Sequence, residues 1–324
     1  MRAIIPAAGI GKRLRPMTLT RPKVLLPVAG KPILGHILDK LVQSGIDEIV
    51  IIVGYLGDMV VDYVKNHYSV NLHFVEQRER KGLGHAVGMG LDDADEPVLI
   101  ILGDTILDVD YDRFVKSEEN IIGVMEVEDP QRFGIVETDG ERVKRLVEKP
   151  REFIGNLAIA GIYLIQHGQI LKKAIRHIVE HDITTKNEYQ LTDALQAMLE
   201  WGEPMVVRRI DACYDCGTRE TLLETNRILL ARIQKKPPAN RNTVIIPPVR
   251  LGSEVTIENS VIGPFASIAD RTKISRSIIE NSIIDEAAEI RAAILKDTLV
   301  GQRAIIRGLA LGVDIGDDSE HDFS

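Results

Sequence analysis

Residues 2–33 read RAIIPAAGIGKRLRPMTLTRPKVLLPVAGKPI, an apolar run that ends in a glycine-rich turn and continues into a basic loop. Arg2–Ala7 has the length of a buried strand, and the glycines after it let backbone N–H groups approach phosphate oxygens closely. Lys12, Arg13, Arg15, Arg21, Lys23 and Lys31 follow, with no acidic residue among positions 12–31. The spacing is not that of a Walker A loop. Nor is it the dinucleotide fingerprint, because Leu14 stands where the third glycine would be. Read alone, the loop is a phosphate-binding turn or simply a tight strand-to-helix turn.

Working outward, short apolar runs alternate with amphipathic stretches. Ile33–Ser44 has helical spacing at Ile33, Ile37, Leu38 and Leu41, and Gly45 ends it. Glu48–Val53, Leu72–Val75 and Val98–Leu102 are strand-length runs, and a helix is expected from about Asp58 to Asn66. Runs apolar on both faces and separated by helices predict an α/β fold with a largely parallel sheet covered on both sides. Phe133–Glu137, Asp139-Gly140 and Val143–Val147 predict a hairpin with a type I′ turn. Leu157–Ile165 reads as a further strand, and Leu191–Glu200 and Glu220–Gln234 as helices.

The composition shifts at Lys235–Asn240, a polar linker with two prolines, and a repeat follows. Leu251, Ile268, Ile284 and Val300 form one row, spaced by 17, 16 and 16 residues. Ile257, Ile274, Ile290 and Ile306 form a second row six residues behind the first. Two rows in step predict a β-solenoid of three to four coils. The alternative is an ordinary β-sandwich with chance spacing, whose strands rarely keep one period through four rungs. The expected organisation is a catalytic domain over 1–234, a β-helix over 243–314 and an acidic tail over 315–324 whose composition predicts disorder.

Length and charge restrict the function. The chain has 324 residues and a net charge of −8, which argues against a general nucleic-acid binder. No stretch reaches the length of a membrane span, and the first residues do not form a signal peptide. Two cysteines predict a reducing, cytoplasmic setting. Cys213 and Cys216 lack a second Cys or His pair and read as incidental.

Asp104 follows the strand ending Leu102-Gly103, a position where a carboxylate caps a turn or ligates Mg²⁺. Glu148-Lys149-Pro150 closes the predicted hairpin as a charged turn. Gln77 precedes Gly82-Leu83-Gly84-His85-Ala86, and its side-chain amide offers both a donor and an acceptor. His85 reads as a structural histidine at least as readily as a ligand contact.

The string AAGIGKRLRPMTLTRPKVLLPVAGKPI closely resembles the N-terminal motif of the sugar-phosphate nucleotidylyltransferases, especially the glucose-1-phosphate thymidylyl- and uridylyltransferase branch. The resemblance implies a Rossmann-like nucleotidyltransferase domain with a mainly parallel mixed sheet, followed by a short left-handed parallel β-helix. It implies that Arg13 and Lys23 hold a nucleoside triphosphate, with Ala8, Gly9, Gly11, Lys12, Gln77 and Gly82 around the nucleotide. Lys12 stands where the family commonly has Thr or Ser. Glu148, Lys149, Gly134 and Gly161 would receive a sugar 1-phosphate, with Lys149 on its phosphate. Tyr214-Asp215-Cys216-Gly217-Thr218 is similar to the family's Asp-x-Gly-Thr stretch, so Asp104 and Asp215 would hold Mg²⁺.

The implied reaction joins dTTP or UTP to glucose 1-phosphate and releases pyrophosphate. Gly-Leu-Gly-His-Ala is closer to the uridylyl branch. A mannose-1-phosphate guanylyltransferase is the alternative enzyme, and a non-catalytic sugar-nucleotide-binding subunit is the alternative of another class. A solenoid acyltransferase would need a histidine, and none occurs from Thr243 to Asp314. The solenoid is therefore expected to serve assembly of a homo-oligomer or regulation.

Overall fold

The computed structural model describes residues 1–233, 242–308 and 314–323. The expected linker Lys235–Asn240 lies outside the described residues. The chain divides into two compact units, Met1–Gly9 with Ile37–Cys213, and Ile10–His36 with Tyr214–Ser324. The basic loop therefore groups with Tyr214–Ser324 rather than with the strand that precedes it. Among the described residues no helix is long and apolar enough to cross a membrane.

The first unit is built on a nine-stranded mixed sheet. Its strands are β1 (Arg2–Pro6), β2 (Glu48–Val53), β3 (Asn71–Glu76), β4 (Val98–Ile101), β5 (Asn120–Glu126), β6 (Gly134–Asp139), β7 (Arg142–Glu148), β8 (Leu157–Ile165) and β9 (Met205–Arg209). Their order is β3-β2-β1-β4-β8-β5-β9-β7-β6. The β3-β2-β1-β4 half is parallel, and β2 and β4 bury nearly every residue, as strands covered on both faces must. Antiparallel β8 joins this half to β5, and β9 runs parallel to β5. The hairpin β6–β7 forms the far edge, where β7 (RVKRLVE) exposes Arg142, Lys144 and Arg145.

The helices are α1 (Ile33–Gln43), α2 (Gly57–His67), α3 (Leu83–Gly90), α4 (Tyr111–Val115), α5 (Gly168–Glu180), α6 (Leu191–Glu200) and α7 (Arg219–Ala231). In α5 the buried Leu171, Ala174, Ile175 and Ile178 recur at i, i+3, i+4 and i+7. They share one core with Val87 of α3, Leu195 and Met198 of α6, and Ile4, Ile52 and Ile100 of the sheet.

The hairpin turn differs from expectation. Asp139 pairs with Arg142, so Gly140 and Glu141 form the two-residue loop and Asp139 belongs to the strand. Gly140, at φ +61°, takes the first loop position, where Asp139 was expected.

The second unit contains α7 and three sheets of short parallel strands. Leu251, Ile268, Ile284 and Val300 stack in register in one sheet. Ile257, Ile274, Ile290 and Ile306 do the same in another. All except the partly buried Leu251 enter a continuous core. Corners between strands use left-handed backbone at non-glycine residues, among them Phe265, Asn281 and Asp297 at matching places in successive coils. The arrangement is consistent with the left-handed parallel β-helix that the resemblance implies.

The expected disorder of the acidic tail is corrected by the structure. Glu320–Phe323 pairs in parallel with Ile305–Gly308, and buried Ile315 bridges to Val300. The stretch adds another coil because Ile315 covers the apolar end of the coil beneath it. Its acidic side chains are paired as well: Asp318 receives Arg303 at 2.8 Å through Nη2, and Glu320 receives Arg307. Composition signals disorder only when apolar positions are too few to bury, and one buried isoleucine in phase with the core suffices here.

Candidate functional site

The carboxyl ends of the parallel strands in the first unit lie side by side. Ala7 N donates to Ile52 O at 2.8 Å, and Gly103 N donates to Pro6 O at 3.1 Å. Ala8, Gly9 and Asp104 therefore follow strand ends at one edge of the sheet. Gln77 arrives there directly after β3, its N–H donating to Val53 O at 2.8 Å. Antiparallel β8 begins at this same edge, since Ile162 pairs with Ile101 and the preceding residues project beyond β4. Ala158 also pairs with Ile135 of β6, which carries Gly134 and Glu148 to that end. Ligands of open α/β sheets bind at this edge.

Glu148 is held from two sides. Thr192 Oγ1 donates to its Oε2 at 2.7 Å, and Lys149 Nζ lies 3.1 Å from its Oε1. Gly134 pairs with Glu148 across the hairpin, and a side chain at 134 would meet Glu148 Oε2 at 2.9 Å. Lys149 has left-handed backbone, φ 44°, fixed by its N–H donating to Phe133 O at 2.9 Å. Burial, reinforced by the Glu148 charge, raises the pKa of Tyr163 and keeps its phenol protonated. The Asp193 carboxyl is also shifted up by burial. Its Oδ2 has no hydrogen-bond partner among the described residues. Gly161 marks a bulge in the β8–β5 register, and its missing Cβ faces Leu102 rather than the open edge.

Gln77 is buried, and its Nε2 lies 3.3 Å from Gly82 O and 3.2 Å from His85 Nδ1. Gly82 caps α3 at φ +116°, with Tyr189 O only 2.5 Å from where a Cβ would lie. No other residue fits that position without moving backbone. Burial, then the nearby Lys81 charge, lowers the imidazole pKa of His85, with Glu79 opposing. His85 is thus in contact with a predicted nucleotide residue, which neither of its open sequence readings specified.

In the second unit the basic loop is organised around Gly11. Its carbonyl accepts from Leu14 N at 2.9 Å and from Thr18 Oγ1 at 2.8 Å. Gly11 is left-handed, φ 69°, and the Lys23 stem packs where its Cβ would be. Lys23 is buried, whereas Lys12 and Arg13 are exposed. Asp215 is exposed, and its carboxylate lies over Gly217, whose Cβ would meet Oδ1 at 2.8 Å. Asp104 and Asp215 are both hard oxygen donors, the class Mg²⁺ takes, and Asp215 Oδ1 and Oδ2 make no hydrogen bond to a described residue. Cys213 and Cys216 form no disulfide, and their thiols donate to Ala160 O at 3.7 Å and Tyr214 O at 3.8 Å.

Sequence reasoning missed Thr192, which had no signal beyond lying at the start of a predicted helix. It also missed Asp285, whose Oδ2 accepts from Arg21 Nη1 at 2.6 Å.

The family model described as nucleotidyl transferase matches residues 2–232. The chain is similar to the Bifunctional protein GlmU of Methanocaldococcus jannaschii, at 34% identity over 335 residues, covering 96% of this chain and 78% of that protein. It is similar to the UTP–glucose-1-phosphate uridylyltransferase AglF of Haloferax volcanii, at 32% identity over 222 residues, covering 65% and 88%. The solved structure of UDP-glucose pyrophosphorylase complexed with UDP-glucose shares the fold, with TM-score 0.63 at 24% identity over 72% of this chain and 99% of that one.

Proposed function

We propose, from the premise that this chain belongs to the nucleotidyl transferase family, that it transfers a nucleotidyl group from dTTP or UTP to glucose 1-phosphate. Its class is that of the sugar-1-phosphate nucleotidyltransferases. The observation that carries the finer reading is the sheet edge of the first unit, which gathers Ala8, Gln77, Asp104, Gly134 and Glu148-Lys149. A base-pairing amide, a metal-type carboxylate and a carboxylate–ammonium pair on one edge suit a nucleotide and a phosphorylated sugar together.

The sugar phosphate is already ionised at neutral pH, so no protein nucleophile is needed. Its oxygen attacks the α-phosphorus and pyrophosphate leaves. The barrier is chiefly the repulsion of two anions and the charge developing on the leaving group, so positioning and cationic stabilisation are the catalytic contributions. Arg13 and Lys23 are assigned to the triphosphate, and Lys149 to the sugar phosphate. Glu148 is assigned to sugar hydroxyls, with Thr192 fixing its orientation. Gly9, Gly11 and Lys12 line the phosphate loop, and Gln77 and Gly82 receive the base. Mg²⁺ held by Asp104 and Asp215 would neutralise charge on the phosphates.

The name of AglF supports UTP and glucose 1-phosphate as the pair. Exposed Val244, Ile278 and Ile294 in one β-helix sheet support self-association through that face. The test is pyrophosphate release from a matrix of five nucleoside triphosphates against glucose, galactose, mannose and N-acetylglucosamine 1-phosphates. Release with UTP or dTTP and glucose 1-phosphate is expected. A dominant GTP–mannose 1-phosphate signal would replace the reading with a guanylyltransferase, and silence in every well would end it.

A further inference from the structure

We propose that His85 selects the base by locking the Gln77 side-chain amide with its oxygen turned to the nucleotide; this rests on the function proposed above. The orientation follows from donor chemistry. Gly82 O can only accept, so the group 3.3 Å from it must be the Gln77 NH₂. The second N–H then points at His85 Nδ1, 3.2 Å away, which must be a bare acceptor nitrogen. The imidazole is accordingly neutral, with its proton on Nε2. Burial and Lys81 favour that state, and the opposing Glu79 is itself engaged by Lys81 at 2.6 Å.

Both amide hydrogens are consumed inside the protein, and Oε1 alone is left for the base. Turning the amide over would bring Oε1 against Gly82 O, a repulsive contact in a buried place, and would also force His85 to give up its Nε2–H tautomer, since only Nδ1–H could then meet Oε1. An acceptor-only amide pairs with an imino N–H. Uracil and thymine present one at N3 and guanine at N1, whereas cytosine N3 and adenine N1 are bare acceptors. His85 is therefore a positioning residue that excludes CTP and ATP without touching them, by leaving an oxygen opposite a lone pair. The choice between uracil and thymine is left to other contacts.

The experiment compares kcat/KM for UTP and CTP, each with glucose 1-phosphate and Mg²⁺, in the full-length wild type and in His85→Ala. Removing Nδ1 takes away one of the two partners that hold the amide, so the UTP-over-CTP ratio should fall by roughly tenfold. Most of the change should lie in KM rather than kcat. The ratio of equilibrium affinities for the two nucleotides gives the same reading where turnover is too slow to follow. An unchanged ratio in His85→Ala, whatever the loss of overall rate, overturns the inference and leaves the proposed function standing. A wild type that releases no pyrophosphate with any nucleotide overturns both.

Discussion

Arg21 Nη1 donates to Asp285 Oδ2 at 2.6 Å, joining the basic loop to the β-helix across 264 residues of sequence. Both side chains are largely buried, at 13% and 5% exposure. Burial pushes the Asp285 carboxyl up to about 6, despite the attraction of Arg21 and a bond from Glu286 N. Nearby Asp317 and Glu286 add to the upward shift.

This pair predicts a pH-dependent loop. Below about pH 6 Asp285 takes up a proton and its hold on Arg21 weakens, so turnover should fall as pH drops through that value. The sugar phosphate titrates nearby, at about pH 6. The diagnostic is therefore the difference between wild type and Asp285→Asn, which should lack the limb due to the carboxylate. Stability runs the other way. Between about pH 4 and pH 6 the folded state binds more protons at Asp285 than the unfolded chain, so this group's contribution declines as pH rises through that window. Thermal unfolding of the two proteins across pH 4–8 checks the sign. Parallel curves would contradict it.

Thr192→Val should loosen Glu148 without changing its charge. Loss of the 2.7 Å bond to Oε2 is worth about 1–2 kcal/mol. KM for the sugar phosphate should rise about 5- to 30-fold, with KM for the nucleotide steady. Steady-state kinetics with each substrate varied in turn separate the two, and an effect confined to the nucleotide would reassign Glu148.

Asp104→Asn and Asp215→Asn should each abolish pyrophosphate release while leaving the circular dichroism spectrum and melting temperature near those of wild type. Chelation of divalent ions should silence the wild type, and added Mg²⁺ should restore it. Normal turnover by either variant would remove that residue from the metal site.

Ile315→Ala tests the terminal coil. Ile315 is buried against the apolar stack, so its truncation should cost about 2–4 kcal/mol in denaturant unfolding of that unit. A tail of the disordered kind that its composition predicted would show no loss.

Much of the fold was legible because its signals are periodic. Glu48–Val53 and Leu157–Ile165 are strands end to end, and the two isoleucine-rich rows at 16–17-residue spacing are the stacked rungs of the solenoid. Periodicity works because each burial repeat has one geometric cause. It failed for α3, whose three glycines lower helix propensity and whose buried face comes from packing against β1, β2, α5 and α6. It also failed at Asp139-Gly140, where the turn shifted by one residue to keep the strand pairing.

The sequence by itself determined the nucleotidyl transferase scaffold, the basic glycine loop and the types of group that the proposed function assigns to phosphate, sugar and base. Those are local chemical choices, carried by short strings such as Gly9-Ile10-Gly11-Lys12-Arg13 and Glu148-Lys149-Pro150. Tertiary structure alone decided how several of these groups are held: Gln77 by Gly82 O and His85, Glu148 by Thr192, and Arg21 by Asp285. A hydrogen bond depends on distance and direction between residues whose sequence separation carries no trace of either. The loop that opens the chain is therefore identified by its residues, but its support comes from a carboxylate on a β-helix coil far along the sequence.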